Sequence, residues 1–146
     1  MGDLSAHFSL SEFRCKCGKC GLPTGVNPAL LDGLETLRGM AGDVPLGVNS
    51  GGRCPQHNRA VGGSIWSQHI VNPQKPVLDA ADVAIRGFGS KQLFLMAEQI
   101  PQFFVGGIGY YPGKGFVHVD VRGRKARWMR TADGQYKKIP ADFYRA

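Results

Sequence analysis

Apolar residues recur at helical spacing between positions 28 and about 40, where Leu30, Leu31, Leu34 and Leu37 fall on one face. That stripe predicts a helix with its apolar side in the core. Asn27 stands at the N-cap, Pro28 takes the first helical position, where a missing N–H costs nothing, and Gly42 lies just past the end. Residues 45–50 then read as a short strand, Gly51-Gly52 as a turn, and 55–61 as a short helical segment closed by Gly62-Gly63. Two prolines and an asparagine make 70–76 a loop, and 77–85 alternates as a strand. Ser90 caps a second helix running to about Ile100, with Leu93, Leu95, Met96 and Ile100 apolar and Pro101 behind it. Residues 107–111, 116–121 and 126–130 read as strands joined by glycine-containing turns. The order predicts an α+β fold, a small antiparallel sheet with helices packed on one face.

A length of 146 residues, 42% of them hydrophobic, suits one domain with one core. We therefore expect a single unit over 1–146, with a cysteine-containing arm over about 1–26 and a polar, basic tail over 131–146. No apolar run of membrane-spanning length occurs, and the start, MGDLSAHFSLSEF, has no basic region followed by an apolar stretch, so neither a membrane span nor a signal peptide is expected. Net charge is +7, and many cations fall late, at Arg122, Arg124, Lys125, Arg127, Arg130, Lys137 and Lys138. Such a balance attracts polyanions, either wall polymer or nucleic acid. No aromatic-rich RNA-binding motif or zinc-finger spacing accompanies the cations, so a general electrostatic role is expected rather than a specific nucleic-acid site. Nucleic-acid binding through the tail would show as strongly salt-dependent affinity for DNA.

Four histidines occur, at 7, 57, 69 and 118. His69 closes Ser67-Gln68-His69, ahead of Asp82 in LDAADVAI, and His118 and Asp120 stand in FVHVDV. Strand alternation puts His118 and Asp120 on one face and Val117, Val119 and Val121 on the other. Two imidazoles and a carboxylate are a common three-ligand set for catalytic zinc, with water in the fourth position. A histidine in a strand is more often a hydrogen-bonded structural group, and pattern alone leaves both readings open.

The stretches SGGRCPQHNRAVGG (50–63), SQH (67–69), AADVAI (80–85) and GGIGYYPGKGFVHVDVRG (106–123), with HFSLSEFRCKCG near the start, resemble the M15 zinc peptidases. The similarity covers about 7–128 and is greatest to the short phage- and prophage-type branch, with its D-Ala-D-Ala carboxypeptidases and peptidoglycan endopeptidases. It implies a hedgehog-like zinc fold and one catalytic zinc held by His69, Asp82 and His118. It also implies that Arg53 holds a substrate carboxylate and that Ser67 orients the site. The implied partner is bacterial peptidoglycan peptide and the implied state a monomer, made in the cytoplasm and acting on the cell wall. Three departures stand out. His69 and Asp82 lie 13 residues apart, further than is usual, with NPQKP between them. Loop length costs little, so an insertion accounts for this, although Asp79 becomes a rival ligand. Gly52 replaces an aromatic before the motif arginine, which would widen the substrate pocket. Gly115 stands where many relatives carry the catalytic carboxylate, which leaves Asp120 as general base or metal-orienting group. A silent zinc-containing wall-binding module on the same fold is the alternative.

Cys15, Cys17 and Cys20 cluster as C-x-C-x2-C, and Cys54 follows Arg53. Free thiols, two disulfides or a structural tetrathiolate metal all accommodate this set. Either link would pin the N-terminal arm beside Arg53.

Overall fold

In a computed structural model, described over residues 2–145, the leucine stripe forms α1 (Pro28–Met40). The Asn27 side chain accepts a hydrogen bond from the Ala29 amide at 2.9 Å, which caps the helix as its position suggests. Leu30, Leu31, Leu34 and Leu37 are all buried.

The strands β1 (Gly25–Val26), β2 (Leu46–Ser50), β3 (Val77–Leu78), β4 (Ala80–Ile85), β5 (Gly107–Tyr110), β6 (Val117–Asp120), β7 (Ala126–Arg130) and β8 (Tyr136–Lys137) form two sheets. One pairs β1 with β3 in parallel, and the other runs β2-β4-β6-β5-β7-β8. The expected antiparallel sheet is therefore mixed, because β5 and β7 are parallel. The reason is local. β6 ends beside the start of β5, and the connection 121–125 passes that end and enters β7 in the direction of β5. The expected strand over 77–85 is split at Asp79, with β3 joining β1 and β4 joining the main sheet.

Helices α1, α3 (Ser90–Ala97) and α4 (Pro101–Phe104) cover one face. The second predicted helix thus stops at Ala97, and buried Ile100 becomes the residue before α4. Ala81, Val83, Ile108, Val117 and Val119 are fully buried on the helix side. The basic tail is not purely polar. Phe143 is buried with its ring centroid 4.9 Å from both Phe94 and Tyr110. Two late arginines are structural. Arg127 binds Glu98 at 2.9 Å and the Gly106 and Phe104 carbonyls, and Arg122 binds Asp120. No described helix is long and apolar enough to cross a membrane.

Candidate active site

Strand register builds the other face of the sheet. Ser50 pairs with Asp82, Asp82 with His118, His118 with Gly109, and Gly109 with Trp128, so one row of side chains crosses β2-β4-β6-β5-β7. Gly109 is required in that row. A Cβ there would sit 2.6 Å from the Trp128 ring, whose centroid lies 4.8 Å from that of His118. His69 arrives from outside the sheet. Its segment pairs with Arg53, whose amide donates to the His69 carbonyl at 2.8 Å and whose carbonyl accepts from Val71 at 2.9 Å.

His69 Nε2, Asp82 Oδ1 and His118 Nδ1 form a near-equilateral triangle with edges of 3.1, 3.2 and 3.2 Å. The other nitrogen of each imidazole is committed. His69 Nδ1 donates to the Gly51 carbonyl at 2.7 Å, and His118 Nε2 donates to Asp120 Oδ2 at 2.6 Å. In the neutral rings, three lone pairs therefore face one point and no proton lies between them. That arrangement repels itself unless a cation or an added proton occupies the point. Ligands about 2.0–2.1 Å from a tetrahedral zinc are about 3.3 Å apart, so the triangle fits zinc with its fourth position open.

Charge supports the same geometry. Burial alone would raise the Asp82 carboxyl, but the facing His69 and His118 outweigh it and hold it well below the usual carboxylate range. Burial would likewise raise Asp120, and His118 and Arg122 hold it low. Asp120 is fully buried behind His118. Its oxygens accept from Gly107 N, from His118 Nε2 and from the Arg122 amide, Nε and terminal nitrogen, at 2.6–3.1 Å. Asp120, expected as general base or metal-orienting group, thus sits behind His118 and outside the residues that line the cleft.

The triangle opens into a cleft of about 310 Å3. A family profile described as Peptidase M15 matches residues 6–120. The chain belongs to the M15 peptidases. No curated protein matches it closely enough to count as a relative.

In this M15 chain, Arg53 lines the cleft beside His69 and Asp82. Ser67 Oγ accepts from the His69 amide at 3.1 Å and lies 3.4 Å from the Arg53 guanidinium, so it ties the two together. Among the described residues, the buried Arg53 Nε has no hydrogen-bond partner. The rival ligand Asp79 is elsewhere, bound to Lys75 at 3.1 Å and Asn27 at 3.2 Å. The connection between His69 and Asp82 contains a turn at Asn72–Lys75 and buried Val71, and it still lets His69 Nε2 and Asp82 Oδ1 meet at 3.2 Å. Gly52 does not widen the pocket. A Cβ there would meet Pro23 of the arm at 2.7 Å and Val71 at 3.1 Å, so the position has no room for an aromatic. A Cβ at Gly115 would meet nothing within 4 Å.

Tyr111, Phe116, Trp128 and Arg130 also line the cleft and were not legible as site residues. Burial, then Asp82, pushes the Tyr111 phenol up, which keeps it a neutral donor. The glycine-aromatic run GGIGYY held a signal for Tyr111, while nothing local marked Trp128. His7 pairs with Glu35 at 2.6 Å, and His57 lies in α2 (Pro55–Ala60); neither joins the triangle.

Proposed function

We propose that this M15 chain is a zinc-dependent peptidase that hydrolyses stem peptides of bacterial peptidoglycan at D-alanine bonds, as a carboxypeptidase or a related endopeptidase. The convergence of three lone pairs on one point, in a cleft that Arg53 also lines, carries this reading. His69 Nε2, Asp82 Oδ1 and His118 Nδ1 would hold the ion. When bound, zinc polarises the scissile carbonyl and makes its water acidic enough to attack at neutral pH.

The chain's own residues do the rest. The Gly51 carbonyl and Asp120 fix the ring orientations and tautomers of His69 and His118. Arg53 offers a planar fork to the substrate's terminal carboxylate, a geometry suited to two parallel hydrogen bonds. Ser67 holds that arginine near the ligand His69. Tyr111 presents a neutral hydroxyl, and Trp128 and Phe116 give apolar walls suited to alanine side chains. Among the described residues Asp82 is the one carboxylate lining the cleft, and the two histidines that keep it ionised share the ion with it.

That same scarcity of carboxylates favours one second reading, a wall-binding module that holds zinc and peptide without cutting. Incubation with a D-Ala-D-Ala peptide and with purified peptidoglycan separates the two. Product fragments identified by mass, abolished by chelator and restored by zinc, support the peptidase. Zinc-loaded protein that binds the peptide and releases no fragment supports the module.

A further inference from the structure

Outside the cleft, the sulfurs of Cys15, Cys17, Cys20 and Cys54 lie within 4.8 Å of one another, all as free cysteines. They form one cluster and not two bonded pairs. Sulfurs bound at about 2.3 Å around a tetrahedral zinc are about 3.8 Å apart. Cys17 Sγ and Cys54 Sγ are 3.9 Å apart.

The backbone is arranged around these sulfurs. The amides of Lys19 and Cys20 both donate to Cys17 Sγ, at 3.3 and 3.4 Å. The Cys54 amide donates to Cys15 Sγ at 3.3 Å, and the His57 amide to Cys54 Sγ at 3.4 Å. Four N–H groups are thus aimed at three of the four sulfurs. Gly18 and Gly21, next to Cys17 and Cys20, take φ of 71° and 68°, which turns the chain back and lets three cysteines of one short arm reach the fourth.

We propose that Cys15, Cys17, Cys20 and Cys54 form a second, structural zinc site that fastens the N-terminal arm to the loop carrying Arg53. Thiol protons pass to solvent as the four thiolates take the ion, with no change of oxidation state. The site matters to the cleft through the chain itself. Cys54 follows Arg53 and precedes α2, and the arm's Phe13 carbonyl accepts from the Gly52 amide at 2.8 Å. Gly51, whose carbonyl orients His69, has no space for a side chain against the Phe13 backbone. The arm thereby sets both the arginine and one ligand of the cleft.

Cobalt substitution tests this in the full chain, purified under reductant. Thiolate ligands give an intense sulfur-to-cobalt charge-transfer band in the near ultraviolet, which a site of two histidines and an aspartate lacks. The band is expected in the parent and undiminished in His118→Ala, because only the cleft site is lost there. Zinc content should fall from about two ions per chain to about one in that variant. Cys17→Ser with Cys20→Ser should remove the band. Should that variant not fold, the parent and His118→Ala spectra decide alone. A reduced parent with all four thiols titratable and no such band overturns the proposal, as does a mass four hydrogens below the reduced value in protein purified without reductant, the mark of two disulfides. A band in the parent with no metal at the cleft keeps this proposal and removes the peptidase reading.

Discussion

Asp120 Oδ2 accepts a 2.6 Å hydrogen bond from His118 Nε2, two residues back on the same strand and the same face of the sheet. The contact places a fully buried carboxylate behind the His118 imidazole and fixes which nitrogen of that ring is bare. Arg122 balances its charge from the other side through two hydrogen bonds at 2.9 and 2.7 Å.

Removing that charge should loosen the ion without emptying the cleft of ligands. Asp120→Asn is expected to weaken zinc affinity roughly 10–100-fold. Competition against a chromophoric chelator measures this. Parental affinity together with parental turnover would exclude Asp120 from the site altogether.

Arg53→Ala should leave zinc content unchanged and cost the carboxylate contact, about 1.5–3 kcal/mol, or about ten- to a hundred-fold in kcat/KM. The loss should appear with free-acid peptides and shrink with the corresponding amides. An equal loss on both substrates assigns Arg53 to the fold and not to the substrate.

The pH dependence has opposite signs with and without zinc. In the metal-free protein, burial lowers His118, but Asp120 and Asp82 overcome it and the net shift is upward from 6.5. The imidazolium's contribution to stability is then fully present below about 6.5 and is lost as pH rises through the raised value. Zinc needs the unprotonated Nδ1, so its stabilisation grows with pH. The gap in Tm between zinc-loaded and chelator-treated protein should widen from about pH 5.5 to about pH 8. A constant gap across that range contradicts His118 as a ligand.

The tail should matter to stability. Phe143 packs edge-on against Phe94 and tilted against Tyr110, deep in the helix-covered face. Phe143→Ala is expected to cost about 3 kcal/mol. Urea unfolding measures it, and an unchanged midpoint would mean the segment after β8 adds nothing to the core.

The parts of this protein that depend on neighbours in the chain could be read without a structure. Periodicity and an N-cap determine α1, and alternation determines that His118 and Asp120 share a face, because both rest on the period of a helix or strand. Pattern alone left His69, Asp82 and His118 open, and it was the resemblance of their motifs to the M15 peptidases that named three residues which meet within 3.2 Å. What alternation could not say is which strand lies beside which. His118 and Asp82, 36 residues apart, face each other only because β4 and β6 pair in one register. Trp128 reaches the cleft only because β7 runs parallel to β5 across the narrow gap left by Gly109. Asp120 was legible as a neighbour of His118, but its burial and its partners Arg122 and Gly107 depend on how the 121–125 connection returns past β5. Phe143 lay hidden in a basic tail because one aromatic carries no period, and only the space between Phe94 and Tyr110 gives it a place. Sequence spacing sets which atoms are available; strand register and chain crossing, which act at long range, decide which of them touch.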